Sequence, residues 1–283
     1  MARQRLGQHF LGDPECRETI AREIRVSPHG MHINPAHSSL DYCWIEIGAG
    51  HGEMTEHLLK CGAPVIAVEL DPPLVSSLQR MAHTNPNLTV VHGDILEIDL
   101  GAIAAGRRMR IYGNLPYYIT SPILHRFFKY AEQIDEAHIL IQLEVAERLT
   151  AEPNTKDYGY LSVVTQFYSR PEFVLRIPPG AFRPPPEVDS ALVTLRFPGQ
   201  AAKWHPAELE KFLEFVKTCF AQKRKSLPNN LRSLISPEEA RENLRKLQIR
   251  EDARAEQLNE AQFVALYRAI SSGQKAVDQG SHS

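Results

Sequence analysis

The stretch Tyr42-Cys43-Trp44-Ile45-Glu46-Ile47-Gly48-Ala49-Gly50-His51-Gly52 decides the fold. An almost wholly apolar run reads as a buried strand and passes directly into glycines at 48, 50 and 52. Those glycines let the backbone turn tightly and approach a ligand closely. Helical spacing follows from Met54 to Lys60 and stops at Gly62. Strand, glycine turn and helix together open an α/β unit. The spacing is G-x-G-x-G, not the G-x-G-x-x-G of dinucleotide folds.

The same alternation continues outward. Val65 to Leu70 predicts a second strand, and Pro72 to Met81 a helix with Asp71 at its cap. Leu88 to His92 is a third strand ending at Gly93-Asp94, and Met109 to Gly113 a fourth. Pro122 to Tyr130 then reads as a helix and His138 to Gln142 as a fifth strand. Upstream, Asp13 caps a helix over 14–24, followed by a loose Pro/His/Ser/Asn stretch over 27–40. Regular alternation of this kind predicts a mostly parallel, Rossmann-like sheet with helices on both faces. Phe173 to Ile177 and Ala191 to Phe197 read as an antiparallel pair at the sheet edge, joined by a Pro-rich link over 178–186. Past Pro198-Gly199-Gln200 only helical patterns remain, over 206–222, 237–247 and 259–270. The expected division is an α/β domain over 1–199, a small all-helical domain over 200–270 and a disordered polar tail over 271–283.

At 283 residues, the chain has room for one large domain plus a small one. Its 43% hydrophobic and 23% charged content is that of an ordinary globular protein. No apolar run is long enough to cross a bilayer, and Met1-Ala2-Arg3-Gln4-Arg5 leads into no signal-type segment. Cys16, Cys43, Cys61 and Cys219 show no C-x-x-C spacing, and the twelve histidines form no H-E-x-x-H pattern. A metal site and a disulfide framework are therefore not expected, and a reducing cytoplasm is. The net charge of −2 does not announce a nucleic-acid binder. Local basic clusters do occur, at Lys223-Arg224-Lys225 with Arg232, and at Arg3, Arg5, Arg107, Arg108 and Arg110.

In an open α/β sheet, ligands sit beyond the C-terminal strand ends near the switch point. Four such ends carry polar or glycine-rich signals here: the Gly48 loop, Glu69, Asp94 and Asn114. Glu69 is placed to accept both ribose hydroxyls of a nucleoside, and Asp94 an adenine amino hydrogen. Glu46 beside the loop would repel a pyrophosphate and suits an ammonium and a sulfonium. Any one of these acids could instead serve as a helix cap. Together with the glycines they favour S-adenosylmethionine. The fourth end, Asn114-Leu115-Pro116-Tyr117, can clamp a flat amine. The Asn oxygen accepts one N–H, a backbone carbonyl the other, and the Tyr ring stacks on the plane. Pro116 stiffens the turn. The same four residues could also be a polar turn beside a core tyrosine.

Collinear motifs over about residues 4–270 resemble the KsgA/RsmA family of small-subunit ribosomal RNA adenine N6,N6-dimethyltransferases. They include Leu6-Gly7-Gln8-His9-Phe10-Leu11, Glu46-Ile47-Gly48-Ala49-Gly50, Gly93-Asp94, Gly113-Asn114-Leu115-Pro116-Tyr117, Phe182-Arg183-Pro184-Pro185-Pro186-Glu187-Val188-Asp189-Ser190-Ala191 and Phe220-Ala221-Gln222-Lys223-Arg224-Lys225. The resemblance implies cofactor contacts at His9, Leu11, Gly48, Gly50, Glu69, Asp94 and Asn114. It implies a target base held between Tyr117 and Phe182, and rRNA phosphates contacted by Lys223, Arg224 and Lys225. Relatives often carry Asn at positions 9 and 118, and Tyr118 is assigned no role.

The implied reaction dimethylates two adjacent adenines in a hairpin loop near the 3′ end of small-subunit rRNA. Its setting would be an immature small subunit in the cytoplasm, with the enzyme a monomer. Hydrogen bonds from the adenine amine to Asn114 Oδ1 and the Leu115 carbonyl would favour a pyramidal nitrogen with a freer lone pair. No strong general base stands near the motif, so positioning and electrostatics carry the catalysis. Three other readings compete. They are a large-subunit rRNA adenine methyltransferase of the antibiotic-resistance type, a non-catalytic RNA-binding assembly factor, and a nicotinamide dehydrogenase disfavoured by the glycine spacing.

Overall fold

The structure is a computed structural model and describes residues 9–25 and 41–280. Arg3, Arg5, Leu6-Gly7-Gln8, the loose 27–40 stretch and the last three residues lie outside the described residues. In chain order, the first unit contains β1 (Phe10–Leu11), α1 (Pro14–Arg25), β2 (Tyr42–Ile47), α2 (Glu53–Leu59), β3 (Val65–Glu69), α3 (Pro72–Ala82), β4 (Leu88–His92) and α4 (Leu100–Ala104). It continues with β5 (Arg108–Asn114), α5 (Thr120–Lys129) and β6 (Ile134–Gln142). Helices α6 (Leu143–Thr150) and α7 (Tyr160–Tyr168) follow, then β7 (Arg170–Ile177), β8 (Phe182–Arg183) and β9 (Ser190–Arg196). The helical end holds α8 (Pro206–Cys219), α9 (Leu227–Asn230), α10 (Pro237–Lys246) and α11 (Glu260–Gly280).

Seven strands form one sheet in the order β4-β3-β2-β5-β6-β9-β7. The pairs from β4 through β6 are parallel. β9 runs antiparallel to both β6 and β7. It therefore stands one strand in from the edge, and β7 is the edge strand. β2 and β3 are buried along nearly their whole length, as expected of parallel strands covered on both faces. The order reverses between β2 and β5, and this switch point fixes where the site forms. Ile47 pairs with both Val68 and Gly113, so the glycine loop, Glu69 and Asn114 emerge side by side. Gly113 has no room for a side chain. A Cβ there would lie 2.8 Å from Leu115 and 3.1 Å from Ile47, which sets the close approach of β5 to β2.

Asp13 caps α1 as expected, its Oδ1 accepting from the amides of Glu15 and Cys16. The chain divides into two compact units, Met1–Ala146 with Ser169–Gly199, and Glu147–Tyr168 with Gln200–Ser283. Residues 147–168, placed in the α/β domain from sequence, thus belong to the helical unit. The physical reason is the apolar face of α7. Val163 and Phe167 pack into an aromatic core with Phe212, Trp204 and Tyr267. The last helix also runs on to Gly280, through most of the segment assigned to a disordered tail.

Candidate active site

The glycine loop folds as its spacing requires, with Gly48, Gly50 and Gly52 all at positive φ. Beside it, Glu69 is 4% exposed and holds three backbone donors. Its Oε2 accepts from Gly50 N at 2.9 Å, and its Oε1 from Leu70 N and Asp71 N at 2.8 and 2.9 Å. A carboxylate offers about four lone-pair positions. One on Oε2 remains. Leu70, 59% exposed at the same lip, is an apolar surface that the sequence reading passed over. Asp94 is half-buried; its Oδ1 accepts from Leu96 N and its Oδ2 carries no partner among the described residues.

Glu46 departs from expectation. It is 2% exposed and bonded by the Thr55 hydroxyl, and burial pushes its pKa up to about 8. At neutral pH this carboxyl is mostly protonated. It supplies no fixed negative charge against a pyrophosphate or toward a sulfonium.

The Asn114 turn is held in place from several sides. Asn114 Nδ2 donates to the His9 carbonyl at 2.7 Å. That bond settles the amide orientation and leaves Oδ1 without a partner among the described residues. The Leu115 amide donates to Leu140 O, while its carbonyl receives no hydrogen bond from the described residues. Pro116 O and the Thr120 hydroxyl tie down the short turn that follows. Half-buried Tyr117 is pinned by its hydroxyl, 2.7 Å from Ser190 Oγ. Burial raises the Tyr117 pKa, and the Ser190 bond opposes that rise. Ser190 belongs to the V-D-S-A motif that carries the resemblance, but sequence alone did not connect it to Tyr117.

The N-terminal motif reaches this site through β1, which pairs with β8. His9 Nδ1 lies 2.8 Å from Pro184 O, and its ring stacks against Tyr117 with centroids 5.8 Å apart and planes at 25°. Phe10 packs on His51 and lies over the loop; a Cβ on Gly50 would sit 3.1 Å from the Phe10 ring. Leu11 is turned into the core, and its carbonyl accepts from Arg17. Phe182 is 0% exposed within the same core.

The basic clusters separate into two kinds. Arg110 is buried over the rings of Tyr42 and Trp44, and Arg108 is bonded to Asp135 and to the Ile134 carbonyl. Neither forms a free basic patch. Lys223, Arg224 and Lys225 are all exposed in the turn before α9. Lys223 Nζ donates to Lys156 O. Arg224 lines a notch of about 370 Å³ with Arg250 and Arg254, whose charges are met by Asp252 and Glu256. Lys225 and Arg232, neither in an ion pair among the described residues, line a second notch of about 420 Å³ with Asn229 and Ser233. No three His, Cys, Asp or Glu side chains among the described residues gather as a metal site. No helix among them is long and apolar enough to cross a membrane.

The glycine loop, Glu69 and the Asn-Leu-Pro-Tyr turn thus stand side by side at the switch point. The family model for ribosomal RNA adenine dimethylases matches residues 1–272. The chain belongs to this family. The Ribosomal RNA small subunit methyltransferase A of Xanthomonas campestris pv. campestris strain B100 is 37% identical over 94% of the chain and 95% of its own length. The protein of the same name from Shewanella frigidimarina is 38% identical over 94% and 93%. Among solved structures, a dimethyladenosine transferase from Plasmodium falciparum superposes with a TM-score of 0.73 at 22% identity, covering 91% of this chain and 96% of that one. The 23S rRNA methyltransferase ErmE superposes at 0.69 with 27% identity, covering 93% and 99%. The Rossmann-like methyltransferase fold read from the strand pattern is therefore the fold of this family.

Proposed function

We propose that this protein uses S-adenosylmethionine to dimethylate N6 of two adjacent adenines in the 3′-terminal hairpin loop of small-subunit rRNA, acting in the cytoplasm on an immature subunit. The observation that carries the reading is the Asn114 amide, fixed by His9, with its oxygen and the Leu115 carbonyl both unbonded among the described residues. Two acceptors at a strand end suit the two hydrogens of an exocyclic amine. The small-subunit assignment rests on relatives at 37–38% identity that carry that name. The likeness to ErmE at 27% identity makes a large-subunit target the second reading.

The residues present fit the cofactor. Gly48 and Gly50 let the backbone close on it, Glu69 keeps one lone pair for a ribose hydroxyl, and Asp94 Oδ2 is open to an adenine amine. Bound there, S-adenosylmethionine supplies an electrophilic methyl group. The chain's own part is geometric. Asn114 Oδ1 and the Leu115 carbonyl orient the target amine, and Tyr117 holds the plane of the extruded base. Developing positive charge on nitrogen is met by the same two oxygens, which are already in place and need no reorganisation. Tyr117 is not a base at neutral pH, because its phenol is shifted upward. The proton leaves to solvent after transfer. Exposed Lys223, Arg224 and Lys225 are proposed to meet rRNA phosphates, and the enzyme to work as a monomer.

Purified small and large subunits lacking the modification, incubated with enzyme and labelled S-adenosylmethionine, test the reading. Mass spectrometry should find dimethyladenosine in the small-subunit rRNA only. Label in the large subunit would select the second reading, and no transfer to either would remove the enzymatic one.

A further inference from the structure

Tyr117 and Tyr118 are neighbours in one short 3₁₀ turn, Tyr117–Ile119, yet their rings meet opposite surroundings. A turn with three residues per revolution sets successive side chains about 120° apart. Tyr117 is half-buried and pinned by Ser190 Oγ. Tyr118 is 58% exposed, and its side chain has no hydrogen-bond or ring partner among the described residues. We infer that Tyr118 is a stacking platform for the RNA base next to the extruded adenine, a contact that adds affinity for RNA and takes no part in methyl transfer. This deepens the proposed function and rests on it.

Extruding one base breaks its stack and leaves a neighbouring base with a bare face. One residue on from Tyr117, the chain offers an unoccupied ring. Such a ring takes any base by its π face and needs no hydrogen bond to do so. The surface beyond it suits a phosphate backbone. Helix α5, beginning at Thr120, holds no Asp or Glu. Its exposed Ser121, Pro122, His125 and Lys129 follow Tyr118 at helical spacing, along one face. An RNA strand leaving the Asn114 turn over this face meets no carboxylate of the helix and passes one ammonium. Relatives often carry Asn at position 118, so the ring is an addition of this chain and not a requirement of the reaction.

Binding and turnover on small subunits lacking the modification test the inference. Tyr118→Asn should weaken the subunit Kd and raise its KM by about tenfold, the scale of losing one base–aromatic stack. Its kcat at saturating subunit and its S-adenosylmethionine Kd should stay within about twofold of wild type. Tyr118→Phe should match wild type, because a ring without the hydroxyl still stacks. The slope of log K against log salt should be the same in all three proteins, since no phosphate contact is lost. In reconstituted subunits carrying an abasic nucleotide beside the target adenine, on each side in turn, the gap between wild type and Tyr118→Asn should close on one side. With its ring in solvent, Tyr118 contributes little to folding, so the three thermal melts should coincide.

A lower kcat at unchanged KM would overturn the inference by placing Tyr118 at the reacting adenine. So would a Phe variant as weak as the Asn variant, a changed salt slope, or a gap that persists on both sides. A methylating wild type equalled by Tyr118→Asn in every readout would remove this inference alone. Failure of the proposed function shows separately, as a wild-type enzyme that does not methylate small-subunit rRNA.

Discussion

The two ends of the seven-stranded sheet use polar side chains in opposite ways. At the C-terminal end of the parallel strands, Asn114 Oδ1, Asp94 Oδ2 and one lone pair of Glu69 are held in place and left unused. Toward the other end, the register sets Trp44, Arg110, Glu136 and Arg196 in one row across four strands, with Tyr112, His138 and Thr194 in the next row but one along them. There the charged groups pair with one another, while Trp44 Nε1 and Tyr112 Oη are buried without a hydrogen-bond partner among the described residues. Arg196 pairs with both Glu136 and Glu172, His138 Nε2 faces Glu136 at 3.4 Å, and His138 Nδ1 meets Thr194 at 2.9 Å. The lesson is that burial and charge alone do not mark a site. Unspent acceptors do so where they stand at the C-terminal mouth of the parallel strands, while an unspent group buried within the sheet does not.

Two buried glutamates sharpen the contrast. Burial raises Glu46 to about 8, since a single hydroxyl bond is too little to hold the ionised form. Burial would raise Glu136 too, but His138 together with the Arg110 and Arg196 charges outweighs it and holds that carboxyl near about 2. His138 itself is kept neutral by burial, with Glu136 opposing in part. One carboxyl is thus a proton carrier at neutral pH, and the other is a fixed anion.

The largest effect expected is on stability, from Glu136→Ala. Removing the anion leaves buried Arg110 without it and half-buried Arg196 with Glu172 alone, at a cost near the lower end of about 3–5 kcal/mol. Chemical denaturation would measure that loss, while methyl transfer per folded molecule should remain near wild type. If activity fell and stability did not, the two ends would not be separable in this way.

Asn114→Ala should do the reverse. Losing the Oδ1 acceptor should reduce methyl transfer by at least about 10²–10³-fold, by analogy with removal of one preorganised polar partner. Half-buried and with a single partner, Asn114 contributes little to folding, so melting and RNA binding should barely change. A variant with full activity would sink the clamp.

How much of this contrast was legible beforehand follows from what sequence encodes. Strand and helix alternation, the glycine turn, Glu69, Asp94 and Asn114 were readable because each depends on local pattern or on the end of its own strand. The inward facing of Phe182, Leu11 and Glu46 was not legible, for a shared reason. Which way a side chain faces at a strand end depends on partners far along the chain. Phe182 is turned inward by its pairing with Leu11, and Glu46 is enclosed beside Thr55. The residues 147–168 were grouped with the wrong unit because their partners, Phe212 and Tyr267, come much later in the chain. The Ser190 anchor of Tyr117 left no local signal at all.

Glu46→Gln tests the first of the two carboxyls. Wild-type Glu46 binds a proton in the folded state up to about pH 8, while the unfolded chain releases it near the usual value of 4.5. Stability from this group therefore declines as pH rises between those values. Glutamine carries no such penalty, so the variant should exceed wild type by a few kcal/mol at pH 9, on the scale of about 1.4 kcal/mol per pKa unit. The difference should vanish near pH 4. Glu136 works in the other direction, its contribution present above about pH 4.5 and lost as pH falls toward 2. Equal stability curves for wild type and Glu46→Gln would mean that the Glu46 carboxyl is not enclosed as described.

The smallest effect belongs to the helical unit, where the same distinction between spent and unspent groups recurs on the surface. Lys223 is bonded to Lys156, and the arginines beside Arg224 are matched by acids. Lys225 and Arg232 are unmatched across their notch. If unspent charge is what meets phosphate, Lys225→Gln should reduce the slope of log K against log salt for rRNA binding by about one, with Lys223→Gln lowering it less. Each substitution alone should weaken binding only modestly, because one released counterion is a small part of the total. Equal slopes for the two variants would show that the turn acts through its summed field. The contrast drawn from the two ends of the sheet would then stop at the first unit.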